Sequence, residues 1–106
     1  MAKFSRDKGK RVERECANWL KPIYGDARRS ANQAGGAVQP DIDGTPYWIE
    51  VKGGKSIGLW AALSQALEDK KLARDDRPVM LYLSRTNGAK VVVMLADEFM
   101  EECLKR

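Results

Sequence analysis

The stretch QPDIDGTPYWIEVKGGK, Gln39 to Lys55, sets charged side chains among strand-forming ones. Tyr47 to Val51 has the aromatic and β-branched content of a strand. Val38 to Ile42 reads as a second strand, joined to it across Asp43-Gly44, a frequent hairpin turn pair. Side chains alternate along a strand, so Trp48, Glu50 and Lys52 share one face while Tyr47, Ile49 and Val51 share the other. The second set is apolar and belongs to a core. Glu50 and Lys52 project together, two residue rises or roughly 7 Å apart along the strand. Asp41, on the neighbouring strand, reaches Glu50. Two carboxylates converging in this way repel each other unless a cation lies between them. A divalent metal would satisfy both and leave room for water and a phosphate oxygen. Lys52 beside them is placed to orient an attacking water or to neutralise charge on phosphorus. Together these are the groups that metal-dependent phosphodiester hydrolysis needs, although an Asp in a turn beside an exposed Glu/Lys pair is also a common surface arrangement.

The flanking sequence supplies the rest of a fold. Residues from about Ser5 to Leu20 read as a helix whose apolar stripe is Val12, Cys16, Trp19 and Leu20, ended by Pro22 and Gly25. Ala27 to Gln33 fits a strand, followed by a flexible AGG turn. GGKSIG breaks the strand pattern, and a helix follows from about Leu59 to Arg74 with Leu59, Trp60, Leu63, Ala66 and Leu67 as its core face. Arg77 to Ser84 and Ala89 to Leu95 are strands around the turn RTNG, and a final amphipathic helix carries Phe99, Met100, Cys103 and Leu104. The order αβββαββα predicts an α/β fold, a central mixed β-sheet flanked by helices on both faces. At 106 residues, 43% hydrophobic and 32% charged, the chain is expected to be one globular domain, residues 1–106, around a single core.

Charge and composition narrow the chemistry. Lys and Arg outnumber Asp and Glu by 19 to 15, and the first fourteen residues hold Lys3, Arg6, Lys8, Lys10, Arg11 and Arg14 against Asp7 and Glu13. Such a patch suits a polyanion, nucleic acid being the commonest, with Lys8, Lys10 and Arg11 as candidate contacts; a merely solvated basic surface fits the same charges. The chain has no histidine, which removes imidazole bases and His-ligated zinc. Two cysteines, Cys16 and Cys103, fall at apolar helix positions and read as buried, reduced thiols of a cytoplasmic protein. Any metal would therefore be hard and oxygen-ligated, Mg2+ or Mn2+. No apolar run approaches the ~20 residues of a membrane span, and no secretory signal opens the chain, so no membrane partner is expected.

Pro40-Asp41, eight residues, then Glu50-Val51-Lys52 resembles the active-site signature of the PD-(D/E)XK nuclease superfamily. The likeness extends to RRSANQAGG, WIEVKGGK, AALSQALED and the DEF of Asp97 to Phe99, which are similar to segments of small phage and prophage nucleases. The resemblance implies a restriction-endonuclease-like fold. It also implies another acidic residue from the first helix, where periodicity leaves Glu13 and Glu15 equivalent. Archaeal-type Holliday junction resolvases and their phage relatives carry a Gly four residues before that glutamate. GKRVE, Gly9 to Glu13, matches this spacing, which favours Glu13 and leaves Glu15 as a surface charge. By this likeness Asp41, Glu50 and the main-chain carbonyl of Val51 bind metal, Glu13 completes the site directly or through water, and Lys52 positions the nucleophile.

Gln65 corresponds to a glutamine that approaches the site in several relatives, or else is a solvated helix residue. Arg29 and Gln33 fit a polar edge strand or else contacts to backbone phosphate near the cut; Lys55 fits a phosphate contact at the mouth of the site or a loop lysine. The implied activity is a Mg2+-dependent DNA endonuclease acting on branched DNA, Holliday junctions first, as a C2 homodimer that cuts two strands symmetrically. Alternatives are a nickase, flap or packaging-associated nuclease of the same superfamily, and a DNA-binding module whose nuclease site is vestigial.

Overall fold

Val79 to Leu83 is the unbroken apolar run VMLYL, and only the interior of a sheet buries both faces of such a strand. The sheet is built around it. In the computed structural model the elements are α1 (Ala2–Leu20), β1 (Arg28–Arg29), β2 (Ile42–Asp43), β3 (Trp48–Gly54), α2 (Leu59–Leu72), β4 (Val79–Arg85), β5 (Lys90–Val93) and α3 (Ala96–Phe99), the last continuing into a π-helical turn, Met100–Leu104. The structure describes residues 2–31 and 38–105, and for residues 2–8 the backbone alone.

The five strands lie in the order β1-β2-β3-β4-β5. β3 and β4 are parallel over seven residue pairs, from Trp48↔Val79 to Gly54↔Arg85, and α2 makes the crossover between them. The other neighbours are antiparallel, so the sheet is mixed. α1 covers one face, packing Val12, Cys16, Ala17 and Leu20 against Ile42, Ile49, Val51, Met80 and Tyr82. α2 covers the other, packing Leu63 and Ala66 against Trp48, Val79, Leu81 and Leu83. The alternation expected of β3 is therefore observed: Ile49 and Val51 lie under α1, whereas Trp48 belongs to the α2 side. Ile42 and Ile49 face each other across β2 and β3 with no exposed surface, each contributing about 1.5–3 kcal/mol through burial. Among the described residues, no helix is long and apolar enough to cross a membrane.

Several elements differ from the sequence expectation. The strand expected from Ala27 to Gln33 is paired only at Arg28–Arg29, and Gln33 lies outside the described residues. The hairpin does not turn on Asp43-Gly44 alone but through a loop, 44–47. Pro46 has no N–H for a ladder, and the Thr45 hydroxyl accepts the Tyr47 N–H at 3.1 Å, which delays the start of β3. Trp19 is not a core residue: it is 51% exposed, with its ring 5.4 Å from that of Tyr82, and Ala17 takes its place under the helix. Trp60, expected on the core face of α2, is 75% exposed because it falls one residue outside the Leu59–Leu63–Ala66–Leu67 arc that meets the sheet.

The C-terminal segment departs most. A π-helical turn has a longer period than 3.6 residues, so the spacing of Phe99, Met100, Cys103 and Leu104 no longer collects on one buried face. All four are exposed, including Cys103, which contradicts its reading as a buried thiol; Cys16 is buried as expected. The segment is fastened by polar contacts: Glu98 accepts the Val79 N–H at 3.4 Å and pairs with Lys70 at 3.5 Å.

Gly44 is the position in the hairpin that tolerates no side chain. Its φ is 85°, and an added Cβ would collide with the main-chain carbonyl of Asp26. Gly44→Ala is expected to destabilise the fold by about 2 kcal/mol or more. That corresponds to a Tm lower by about 10 °C in a circular dichroism melt. A variant that melts with the wild type would rule out this turn geometry.

Candidate active site

Asp41 is held by the backbone on both sides. Its N–H donates to the Ile49 carbonyl at 2.8 Å, and its own carbonyl accepts the Ser30 N–H at 3.0 Å. The Ser30 hydroxyl also donates to the Pro40 carbonyl, tying the segment after β1 to the residue before Asp41. β3 continues beyond β2, so the Val51 N–H needs another acceptor. The Asp41 carboxylate provides one, taking that N–H on Oδ2 at 2.8 Å. Asp41 thus stands at the end of the Ile42↔Ile49 pairing, with its carboxyl close enough to that of Glu50 to act on it.

Glu50 lies on the α2 side of the sheet with Trp48, whose indole N–H donates to its Oε1 at 3.0 Å. The Arg77 guanidinium sits 5.9 Å from the Trp48 ring, itself fixed by Asp75 at 2.8 Å. Burial pushes the Glu50 carboxyl up to about 8, and the neighbouring Asp41 carboxylate adds to the rise; the Trp48 N–H and the Lys52 ammonium offset it only in part. At neutral pH the Asp41–Glu50 pair therefore holds a proton that a cation can replace. Two hard oxygen donors in this state are the donor type that suits Mg2+ or Mn2+.

Lys52 is exposed beyond Glu50 on β3 and lines a cavity of about 360 Å³ together with Gln65 of α2. Gln65 donates to Asp69 Oδ1, one turn along the helix, at 2.9 Å. It thus shares a wall with Lys52 while its amide is engaged on its own helix.

The structure brings Asp41, Glu50, Val51 and Lys52 together, but Glu13 stands apart from them. Glu13 Oε1 accepts from Arg29 Nε at 2.9 Å, so the candidate metal ligand and the candidate phosphate ligand are paired with each other. Among the described residues, no three acidic or thiol side chains gather into a metal-binding group. Glu13 and Glu15 also separate: Glu13 reaches β1, whereas Glu15 reaches β4 and β5 on the same face of the sheet. There Glu15 accepts the Tyr82 hydroxyl at 2.7 Å and pairs with Lys90 at 3.1 Å. Glu15 is a partly exposed charge, as expected, and these contacts make it an ion-pair partner. Burial opposes ionisation of Glu15, but the Tyr82 hydroxyl and Lys90 outweigh it and hold the carboxyl below its ordinary range.

Of the candidate DNA contacts, Lys10 is exposed on α1, Arg11 lines a second cavity, and Lys55 lines a third beside Arg85. The side chain of Lys8 and all of Gln33 lie outside the described residues. Sequence reading missed Trp48 as a partner of Glu50, although its i,i+2 spacing on one strand face was a usable signal. It also missed Tyr82 and Lys90, whose approach to Glu15 depends on β4 and β5 lying under α1. Comparison with protein-family models, curated proteins and solved structures returned no match to this chain.

The raised Glu50 pKa makes a testable link to stability. The fold favours the protonated carboxyl, so in EDTA this stabilisation is present below the ordinary carboxylate range and is lost as pH rises through about 8. Wild-type Tm is expected to fall from pH 5 to pH 9 more steeply than that of Glu50→Gln, which keeps the shape without the charge. Added Mg2+ should raise Tm at pH 8 in the wild type and not in the variant. Parallel pH profiles for the two proteins would show that the pair is not coupled as described.

Proposed function

We propose that this chain is a metal-dependent DNA endonuclease with a restriction-endonuclease-like fold. The observation that carries the reading is the Asp41–Glu50 carboxyl pair, held against the end of β2 with Lys52 on the same strand. Asp41, Glu50 and the Val51 carbonyl are the groups that would hold Mg2+ or Mn2+, which when bound supplies an activated water and offsets charge on the phosphoryl oxygens. Trp48 orients the Glu50 carboxylate through its indole N–H. Lys52 carries an exposed ammonium to the mouth of the pair, where it orients the nucleophile or meets negative charge developing on phosphate.

Glu13 and Arg29 are engaged with each other, so a metal taken by the carboxylate or a backbone phosphate taken by the guanidinium would replace this ion pair. Glu13 is the better helix candidate than Glu15, because Arg29 draws it towards the β1–β2 side that carries Asp41. The excess of basic residues suits a nucleic-acid substrate. Branched DNA, with Holliday junctions first, is the substrate class that the PD…EVK resemblance favours, and a symmetric homodimer follows from the need to cut two strands.

The test is a cleavage assay with four-way junction, flap, nicked and linear duplex side by side, with Mg2+ and with EDTA. Lys52→Ala is expected to lose about 10²-fold or more in cleavage rate. Its junction affinity, measured in Ca2+, should stay within a few fold. Asp41→Asn should also stop cleavage, with circular dichroism confirming the fold of each variant. Cleavage that survives excess EDTA, or a Lys52→Ala protein that cuts at the wild-type rate, would remove this assignment.

A further inference from the structure

The carboxyl ends of the parallel strands β3 and β4 open into a cavity of about 420 Å³ that the Asp41–Glu50 pair does not use. In open α/β sheets the crevice outside the carboxyl ends of the strands is where ligands bind. Three cations from three elements line it: Arg11 of α1, Arg85 at the end of β4 and Lys90 at the start of β5. One carboxylate, Glu15, stands against them, so the lining carries two cations in excess.

The acidic contribution is already spent. Glu15 is held by the Tyr82 hydroxyl and by Lys90, and Lys90 also donates to the Ser84 hydroxyl at 3.0 Å. These contacts fix the base of the cavity. Among the described residues, neither Arg11 nor Arg85 has an ion-pair partner. The only hydrogen bond Arg85 makes through its side chain there is to the Lys55 carbonyl, at 3.3 Å. Gly53 keeps the approach narrow on the helix side: a Cβ on it would lie 2.9 Å from Val12 Cγ2, so α1 packs directly against the end of β3.

The cavity has a neighbour that shares part of its lining. A neighbouring one of about 320 Å³ shares Arg85 and Thr86 with it and adds Lys55. Arg11, Lys90, Arg85 and Lys55 therefore line two adjoining cavities at the ends of β3 and β4.

We infer that the cavity between Arg11, Arg85 and Lys90 is a phosphate-binding pocket that grips the backbone of a nucleic-acid strand away from the scissile bond. The placement of the strand rests on the nuclease reading; the pocket itself rests on its own residues. A free phosphate would fill one cavity, whereas two adjoining cavities that share Arg85 and carry Arg11, Lys90 and Lys55 match a polymer of phosphates. Arginine suits the task because its fork meets two phosphate oxygens at once.

The experiment measures binding without cleavage: fluorescence anisotropy of a labelled four-way junction and a labelled duplex, in Ca2+, across a salt series. Arg85→Ala is expected to weaken binding about 5- to 10-fold and to reduce the slope of log affinity against log salt by about one. The double variant Arg11→Ala, Arg85→Ala should reduce that slope by about two. Thr86→Glu, at an exposed turn position, should weaken binding by placing a carboxylate at the mouth, and it serves if Arg85→Ala melts early. Lys105→Ala, remote in the C-terminal segment, is the control and should match the wild type. Wild-type affinity and slope in folded Arg85→Ala or Thr86→Glu would overturn the pocket, whether or not the protein cuts DNA. Inorganic phosphate shifting the Arg85 side-chain resonance, with no affinity for DNA, would overturn the strand assignment. Salt-dependent binding lost on Arg85→Ala, in a protein that never cleaves with Mg2+, would support the pocket and remove the nuclease reading instead.

Discussion

A single hydrogen bond, from the Val51 N–H to the Asp41 carboxylate, joins the scaffold of this protein to its candidate chemistry. β2 pairs with β3 over a very short stretch, and β3 runs on beyond it. An unpaired main-chain donor at that point would carry a desolvation penalty, and the Asp41 side chain removes it. The same contact holds the carboxylate against β3, beside that of Glu50. Local satisfaction of the backbone thus enforces a repulsive pair.

That pair is costly to the fold, and its surroundings show how the cost is contained. Glu50 sits between Trp48 and the α2 side of the sheet, in a position that packing alone would fill with an aliphatic side chain. The indole N–H, the Lys52 ammonium and a retained proton each lessen the burden. Departure from core-building rules at one place in an otherwise consistent sheet is the pattern expected of a functional site. Here the departure is confined to the α2 side, while the α1 side keeps Ile42, Ile49 and Val51 fully apolar.

Helix α1 divides the remaining electrostatics. Glu13 faces Arg29 on the β1 side, and Glu15 faces Tyr82 and Lys90 on the β4–β5 side. Two residues of offset rotate a helix by more than half a turn, so neighbours in sequence serve opposite edges of the sheet. Both glutamates neutralise a cation, yet Arg11 and Arg85 have no ion-pair partner among the described residues. The excess of basic residues therefore reaches the ends of β3 and β4, where Arg11, Arg85, Lys90 and Lys55 line two adjoining cavities.

Sequence alone determined the α/β class, the order of elements and the alternation of β3, because those follow from periodicities of 2 and 3.6 that are local to each segment. It also determined that Asp41 could meet Glu50, since the hairpin partner lies within a few residues. What it misplaced depends on neighbours distant in the chain. Trp19 and Trp60 are apolar at plausible helix positions, but which arc of a helix is covered is decided by the sheet beneath it. Cys103 lost its buried place to a π-helical turn that no composition signal announces. Pairing of Glu13 with Arg29, sixteen residues on, and of Glu15 with Tyr82, sixty-seven residues on, required the strand order to bring β1 and β4 to opposite flanks of α1. The tertiary structure alone decided these contacts, because ion pairs and cavities form between side chains whose proximity is set by packing rather than by spacing along the chain.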